Sequence, residues 1–175
     1  MSRYPKPRSR PSVTARLRAR LARRPGMKHL ARFLDQLRYP ARASAIRGLL
    51  DGSFVSWTLE RRGVHPLLAV ADADAATATV DPERSMRVAA AVDAGLGLLP
   101  LEPTCLRRSL TLIRELRRLE LDGTLHIGVR TVADEIEAHA WVQVADMVVN
   151  DDADITDRYV ELAAGDLERL LPSFR

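Results

Sequence analysis

The clearest pattern of apolar and polar positions lies near the end of the chain. Between Cys105 and about Leu119, apolar side chains recur every three or four residues, which predicts a helix with one buried face. Thr104 stands at the N-cap position, where a hydroxyl accepts a hydrogen bond from the first turn. The apolar face comprises Leu106, Leu110, Ile113 and Leu116. We interpret the opposite face as solvated, and it carries Arg107, Arg108, Arg114, Arg117 and Arg118.

Strands are predicted after this helix. Asp122-Gly123 signals a turn, and the runs that follow alternate between apolar and other residues, as half-buried strands do. These runs are 125–129, 137–144 and 147–150. Residues 151–154 leave the sheet as a loop, and a final helix is predicted over about 164–171. A helix followed by meandering strands favours an α+β domain over a wound parallel sheet.

The N-terminal part of the chain shows helices and loops rather than strands. The predicted helices span 13–24, 27–39, 41–50 and a segment that begins at Pro82. Asp51-Gly52 is expected to close the third helix, and Gly95-Leu96-Gly97 to weaken the fourth near its end. Residues 53–59 are ambiguous between strand and helix, and 71–81 are interpreted as a loop. The predicted organisation is a basic, partly disordered arm (1–26), a helical and loop-containing accessory region (27–82) and a core (83–175).

Composition and length bound the class of protein. With 175 residues, 46% of them hydrophobic and 29% charged, the chain is expected to be a soluble protein of one domain, or of one domain plus a short accessory segment. No run of 18 apolar residues is present, and the basic start is not followed by an apolar stretch, so neither a transmembrane helix nor a signal peptide is expected. Cys105 is the single cysteine, which excludes an intrachain disulfide and a zinc-finger cluster. We expect a cytoplasmic protein with no metal and no cofactor.

Charge is distributed unevenly along the chain. Residues 1–34 carry 11 Lys and Arg and no Asp or Glu, whereas the remaining 141 residues carry 16 basic and 23 acidic side chains, a net charge of −7. A basic segment of this kind can bind phosphates, so a non-enzymatic nucleic-acid-binding module is one hypothesis. Tyr4 and Phe33 are the only aromatic residues of the segment, and no nucleic-acid-binding motif accompanies them. A nucleic-acid partner is therefore not favoured.

One cysteine, one histidine and one aspartate have a spacing that suits nucleophilic chemistry. Cys105 falls in the first turn of its helix, where unpaired N–H groups and the helix dipole favour a thiolate. On the strand over 137–144, His139 points the same way as Trp141, because side chains alternate between the two faces. A hairpin would return Asp151 beside His139, where a carboxylate can orient an imidazole. These three residues are therefore a candidate nucleophile, base and orienter.

Structural roles are the alternative for each of these residues. A lone cysteine is usually a small buried hydrophobe, Trp141 can be a core residue, and Asp151 and Asp152 can be ordinary loop residues. His126 is a rival base, but no carboxylate follows it at hairpin spacing. The remaining histidines are expected to be structural, since no orienter pattern surrounds them: His29 and His65.

Three parts of the chain resemble one family of enzymes. They are Pro103-Thr104-Cys105-Leu106-Arg107-Arg108-Ser109-Leu110, Ile127-Gly128-Val129-Arg130, and Ala138-His139-Ala140-Trp141-Val142 with Val148-Val149-Asn150-Asp151. Together, over about residues 84–152, they are similar to the lasso-peptide B2 proteins, which are leader peptidases of the transglutaminase-like superfamily with a papain-like core. The resemblance implies a helix that bears the nucleophile Cys105, packed on a small antiparallel sheet. The base His139 and the orienting Asp151 would belong to that sheet.

Two positions depart from the family pattern. Gln143 stands where an acidic residue is usual after Trp-Val, and Ala145-Asp146 lacks the usual glycine of the hairpin. Because the turn determines which residue returns beside His139, Asp152 stays an alternative to Asp151 as the orienter. The first 80 residues carry no family motif.

The function implied by the resemblance is that of a cysteine endopeptidase. It would remove the leader from a ribosomally made lasso-peptide precursor through a thioester acyl-enzyme, with the backbone N–H of Cys105 as an oxyanion donor and Trp141 as a substrate contact. The expected partners are the leader region of the precursor, a lasso cyclase and a separate leader-recognition protein, because residues 1–80 lack the strand-rich opening of that domain. A transglutaminase-type acyl transferase or an amidase acting on another peptide is the alternative enzyme.

Overall fold

The computed structural model describes residues 42–71, 78–100 and 102–163. The helices are α1 (Arg42–Arg62), α2 (His65–Ala71), α3 (Pro82–Leu96), α4 (Cys105–Arg118) and α5 (Ile155–Arg158). The strands are β1 (Thr124–Val132), β2 (Glu135–Val144), β3 (Met147–Val148) and β4 (Val160–Glu161). Several predictions fall outside the described residues: the arm 1–26, the basic segment 1–34, the helices over 13–24, 27–39 and 164–171, and the role of His29. The division of the chain at residue 82 stays a prediction.

The four strands form one antiparallel sheet in the order β3-β2-β1-β4. The long β1–β2 hairpin supplies most of it, and its register places Gly128 opposite His139 and His126 opposite Trp141. The sheet and the helices before it confirm the predicted α+β fold with a helical N-terminal region. Neither β4 nor α5 was predicted, because a strand of two residues and a single helical turn are too short to show a periodic pattern in the sequence.

The helix α4 packs its apolar face on the sheet and confirms the predicted helix. The Thr104 hydroxyl caps it by accepting a hydrogen bond from the backbone N–H of Arg107 at 3.4 Å. Ile113 and Leu116 of α4 share one buried core with Val142 of β2 and with residues of α3. Because β2 and α4 share this core, packing fixes the first turn of α4 relative to the sheet.

The arginine face of α4 is only partly solvated, so the interpretation from sequence is wrong for most of it. Arg118 is exposed, whereas the other four arginines are half-buried. The helices α1 and α3 lie against this face and supply carboxylates to it. The pairs are Arg107–Glu60 at 3.3 Å, Arg108–Asp93 at 2.7 Å and Arg114–Asp51 at 3.6 Å. Helical periodicity identifies the polar positions of a helix, but it does not show whether another helix supplies the opposite charges.

The helix α1 runs without a break through Asp51-Gly52, so the helix end predicted there is wrong. Its glycines face α3 instead. A Cβ at Gly48 would overlap the backbone of Val92, and a Cβ at Gly52 would overlap the side chain of Leu96. The glycines therefore let two helices approach closely, which is the other common reason for a glycine in a helix.

Other predictions from sequence have mixed outcomes. The ambiguous segment 53–59 is helical and belongs to α1, whereas α3 begins at Pro82 and ends at Leu96, as predicted. Residues 72–77 of the predicted loop 71–81 lie outside the described residues. Near the end of that segment, Thr79 forms a parallel bridge with Leu121 after α4. Among the described residues, no helix is both long enough and apolar enough to cross a membrane.

Candidate active site

The single cysteine lies where the sequence predicts it, at the first residue of α4 and partly exposed. One turn further along the helix, the fully buried Ser109 hydroxyl donates to the carbonyl oxygen of Ala140 at 3.0 Å. Ala140 follows His139 on β2, and Cys105 lies only about 6 Å from Ser109 along the helix axis. This hydrogen bond therefore places the cysteine end of α4 beside the part of β2 that carries His139.

Asn150, in the loop that follows β3, joins the same two elements, α4 and β2. Its side-chain amide nitrogen donates to Ser109 Oγ at 2.9 Å, and its Oδ1 accepts from the backbone N–H of Val142 at 2.8 Å. Asn150 directly precedes Asp151, so it fixes where that carboxylate returns to the sheet. Sequence reasoning missed both residues of this Ser109–Asn150 link, although both stand in the segments that resemble the B2 proteins.

His139 and Asp151 are in direct contact. Nε2 of His139 lies 2.8 Å from Oδ2 of Asp151, and the two side chains are 22% and 19% exposed. Asp152 lies outside this contact: its side chain is 79% exposed and its carboxylate faces Arg158. Among the described residues no hydrogen bond joins Cys105 to His139. Because Asp151 occupies Nε2, Nδ1 is the nitrogen of the imidazole that is left for a thiol.

The surroundings of the Asp151 carboxyl favour its ionised form. Partial burial by itself raises the pKa of this carboxyl, but hydrogen bonds from His139 and from the backbone N–H of Asp152 lower it, as do the charges of His139 and Arg108. The balance holds the pKa of Asp151 below its ordinary value. Asp151 is therefore a carboxylate at neutral pH, placed to accept a hydrogen bond from the His139 ring.

Arg108 adds a positive charge beside Cys105 and Asp151. Its guanidinium forms two hydrogen bonds with the Asp93 carboxylate, both 2.7 Å long. Burial lowers the pKa of Arg108. The hydrogen bond and the charge of Asp93 raise this pKa, as do the charges of Asp151 and Cys105, and together they outweigh the effect of burial. A thiolate at Cys105 therefore has a fixed cation three residues further along α4.

Trp141 is 1% exposed, and this burial favours the interpretation of the residue as part of the core over that of a substrate contact. Its ring stacks on His126 with centroids 5.7 Å apart, and its indole N–H has no hydrogen-bond partner among the described residues. Nδ1 of His126 lies 2.7 Å from Oε1 of Glu161 on β4. The rival histidine therefore does have a carboxylate partner, on a strand that the sequence pattern does not reveal. His65 is exposed at the start of α2.

No group of three or more potential metal-ligating side chains occurs within the described ranges. A family model described as the Transglutaminase-like superfamily matches residues 52–164, which is more than half of the chain. The matched region runs from the middle of α1 through β4 and includes Cys105, His139 and Asp151. No curated protein and no solved structure matches the chain.

Proposed function

The chain belongs to the transglutaminase-like superfamily, and we propose that it is a cysteine endopeptidase that removes the leader of a lasso-peptide precursor. Members of this superfamily are generally cysteine-dependent enzymes. The observation that supports this most strongly is the 2.8 Å hydrogen bond between His139 and Asp151. It lies in the middle of β2, next to the residue, Ala140, that Ser109 joins to the cysteine-bearing helix. A nucleophile at a helix N-terminus, a base and an orienting carboxylate are the parts that thiol-based acyl transfer requires.

In the proposed first step, His139 accepts the thiol proton and the Cys105 sulfur attacks the scissile carbonyl carbon. The negative charge moves to the carbonyl oxygen, which the backbone N–H of Cys105 stabilises. The C–N bond then breaks as His139 returns the proton to the leaving nitrogen, which gives a thioester and a free amine. In the second step His139 takes a proton from water, the hydroxide oxygen attacks the thioester, and the C–S bond breaks to release a carboxylic acid and the thiol.

The two nitrogens of the His139 ring have separate tasks in this scheme. Since the Asp151 carboxylate is ionised, Nε2 carries the hydrogen of the neutral ring and donates it to Oδ2. Nδ1 then has a free lone pair and is the atom that takes the thiol proton. Asp151 does not accept a proton; it fixes the tautomer and stabilises the imidazolium that forms.

The substrate and the partners rest on the resemblance of the quoted segments to the B2 proteins. In this proposal the chain cuts between leader and core, and a separate leader-recognition protein delivers the precursor. The core peptide leaves with a free N-terminal amine, which a lasso cyclase would then join to a carboxyl side chain. Strong binding of the leader by this chain alone, measured by calorimetry, would contradict the need for a separate recognition protein.

Alkylation of Cys105 by iodoacetamide tests the cysteine–histidine pair without a substrate. Around pH 6 a free thiol, with a pKa of about 8.5, is almost wholly protonated and reacts slowly. We expect the wild type to react at this pH, and His139→Ala to lower the rate by about tenfold or more. His126→Ala is the matched control, because it also removes an imidazole that is paired with a carboxylate, on the neighbouring strand. Equal rates in all three proteins would contradict the proposed pair.

Mass spectrometry of the products separates the peptidase from the alternative enzymes. The precursor is incubated with the wild type or with Cys105→Ala, with the recognition protein, and with an added primary amine. Hydrolysis gives a leader acid and a core amine whose masses sum to the precursor plus water. A leader joined to the added amine identifies an acyl transferase, and a precursor that stays intact with the wild type contradicts both activities.

A further inference from the structure

The His139 ring is contacted on its face as well as at its edge. Asp151 holds Nε2, while the aromatic ring of Tyr159 stacks against the imidazole with centroids 5.1 Å apart and an interplanar angle of 29°. A hydrogen bond to one nitrogen fixes a single atom, and the ring can still tilt about that bond. A second ring against its face removes this freedom, so Tyr159 limits where Nδ1 can point.

Tyr159 has a second contact of its own. The guanidinium carbon of Arg130 lies 4.7 Å from the centroid of the Tyr159 ring, in a cation–π arrangement. Nε and one terminal nitrogen of Arg130 both donate to Oε2 of Glu137, at 2.8 and 2.6 Å. Arg130 and Glu137 are opposite each other in the β1–β2 register, so the hairpin itself fixes the cation that lies over the tyrosine.

Gly128 makes the contact between Tyr159 and His139 geometrically possible. Tyr159 directly precedes β4 and His139 belongs to β2, so β1 lies between them and the tyrosine must reach across it. Gly128 is the β1 residue opposite His139. A Cβ there would lie 2.9 Å from Tyr159 Cβ and 3.0 Å from two ring carbons of Trp141. The absent side chain therefore leaves room for the Cβ of Tyr159 beside the Trp141 ring, which lets the tyrosine lie over β1 and reach His139.

We propose that Tyr159 is a positioning residue that holds the His139 imidazole with Nδ1 directed toward the Cys105 thiol. The proposal rests on the proposed function, because it assigns Tyr159 a task in the same acyl transfer. It also gives a reason for two positions of the Ile127-Gly128-Val129-Arg130 segment: Gly128 provides space and Arg130 holds the tyrosine.

The charged groups around the imidazole come from every neighbouring element. Asp151 lies at its edge, with Arg108 of α4 beyond that carboxylate. Arg130 and Glu137 lie next to Tyr159, and Glu161 is opposite Gly128 and bonds to His126. Because a substitution by an uncharged residue at Tyr159 leaves all of these in place, its effect on thiol reactivity reports ring orientation rather than a change of nearby charge.

The test compares Tyr159→Leu, which removes the aromatic ring, with Tyr159→Phe, which keeps it. For each protein the rate of Cys105 alkylation is followed from pH 5 to 9, with His139→Ala as the reference for a lost base. We expect Tyr159→Leu to lower the rate near pH 6 by about tenfold, while Tyr159→Phe keeps most of the wild-type rate. In cleavage of the precursor, Tyr159→Leu should lower kcat by a similar factor with little change in KM, because in this proposal Tyr159 acts through His139 and not on the substrate. Val160→Ala, at the exposed next position of β4, is the control.

Each outcome has a distinct meaning. If His139→Ala leaves alkylation unchanged, the proposed function fails and this inference with it. If His139→Ala lowers the rate while Tyr159→Leu matches the wild type, the peptidase proposal stands and the role of Tyr159 is overturned. A loss with Tyr159→Phe equal to that with Tyr159→Leu also overturns it, since the hydroxyl rather than the ring would then matter.

A second variant keeps the inference testable if Tyr159→Leu does not fold. Gly128→Ala retains the tyrosine but displaces it, because the new Cβ would lie 2.9 Å from the Cβ of Tyr159 and 3.0 Å from the Trp141 ring. We expect the same loss of reactivity near pH 6. The imidazole proton resonances of His139 should also move, because they lose the ring current of Tyr159. Unchanged alkylation together with shifted resonances would contradict the inference.

Discussion

Asp151 bonds to Nε2 of His139, the ring nitrogen farther from the backbone, and Nδ1 has no hydrogen-bond partner in the part of the chain that the structure describes. This relationship is set by the chain itself, since Asp151 directly follows Asn150, whose side chain is bound to both α4 and β2. The loop after β3 therefore has little freedom to present a different residue to the imidazole. The predictions below follow from this arrangement and from the packing that supports it.

Asp151→Ala is expected to lower kcat for precursor cleavage by about a hundredfold or more, because the imidazole loses both its orientation and its compensating charge. Asp151→Asn should fall between this variant and the wild type, since an amide oxygen can still accept the hydrogen bond from Nε2. Steady-state cleavage measures both. Asp152→Ala is the matched control and should stay within about twofold of the wild type, because its carboxylate is exposed. A larger loss with Asp152→Ala than with Asp151→Ala would make Asp152 the orienter.

The depressed pKa of Asp151 predicts how the stability of the protein depends on pH. In the unfolded chain this carboxyl titrates near its ordinary pKa of about 3.9, whereas in the folded protein its pKa is lower. As pH falls below about 4, the unfolded state therefore binds a proton first, and the contribution of Asp151 is lost as pH passes through the folded pKa.

Urea denaturation of the wild type and of Asp151→Ala, carried out between pH 2.5 and 5, measures this contribution. The difference in the free energy of unfolding between the two proteins should shrink as pH falls. A difference that grows toward acid pH would have the wrong sign and would contradict the favourable environment of the carboxylate.

The Ser109–Asn150 link is expected to stabilise the fold as well as the site. Ser109→Ala leaves the Asn150 amide without its partner in a partly buried place, which costs about 1–3 kcal/mol of unfolding free energy. Cleavage activity should fall further than stability alone explains, because the cysteine end of α4 moves relative to β2. Ser53→Ala is the matched control: its hydroxyl donates to the Leu49 carbonyl on the exposed side of α1, so a change within about 0.5 kcal/mol is expected. Equal losses in the two variants would show that Ser109 has no special role.

At the glycine contacts between α1 and α3, we expect an alanine substitution to lower the free energy of unfolding, which is the opposite of what helix propensity predicts. Alanine stabilises a solvent-exposed helix position by about 1 kcal/mol relative to glycine. At Gly48, however, the added methyl group would overlap the backbone of Val92, which cannot rotate away as a side chain can. We expect Gly48→Ala to be destabilising by about 1–3 kcal/mol, measured by urea denaturation. A stabilised variant would show that the two helices are not in close contact.

The elements with a long, regular pattern were predictable from sequence. The amphipathic period of α4 and the alternation of β1 and β2 extend over nine or more residues, and both patterns report burial on one face. The helix end predicted at Asp51-Gly52 was wrong because a glycine can mark either the end of a helix or a close contact inside one. Which of the two applies depends on a neighbour that lies about forty residues away, at Val92 and Leu96.

In the candidate site, too, local features were predictable and contacts between distant elements were not. Cys105 at a helix N-terminus and the pairing of His139 with Asp151 through a hairpin follow from local rules, and the resemblance to the B2 proteins selects these three residues as the candidate site. Contacts between different elements of the fold were missed. Ser109 meets Ala140 across a helix–sheet contact, and Tyr159 reaches His139 across a strand. The carboxylate of His126 was missed for the same reason, because Glu161 arrives on a strand of two residues.

The 41 positions that separate Ser109 from Asn150 determine when the site can exist during folding. The cysteine-bearing helix and the hairpin each contain only some of the residues of the candidate site. Closing so long a loop is a late and entropically costly event in folding. Reactivity of the thiol toward peptide bonds is therefore expected only after the chain has emerged past Asp151 and the hairpin has docked. A nascent or truncated chain would carry a cysteine without its histidine and carboxylate neighbours, so we expect such a chain to lack the proposed acyl-transfer activity.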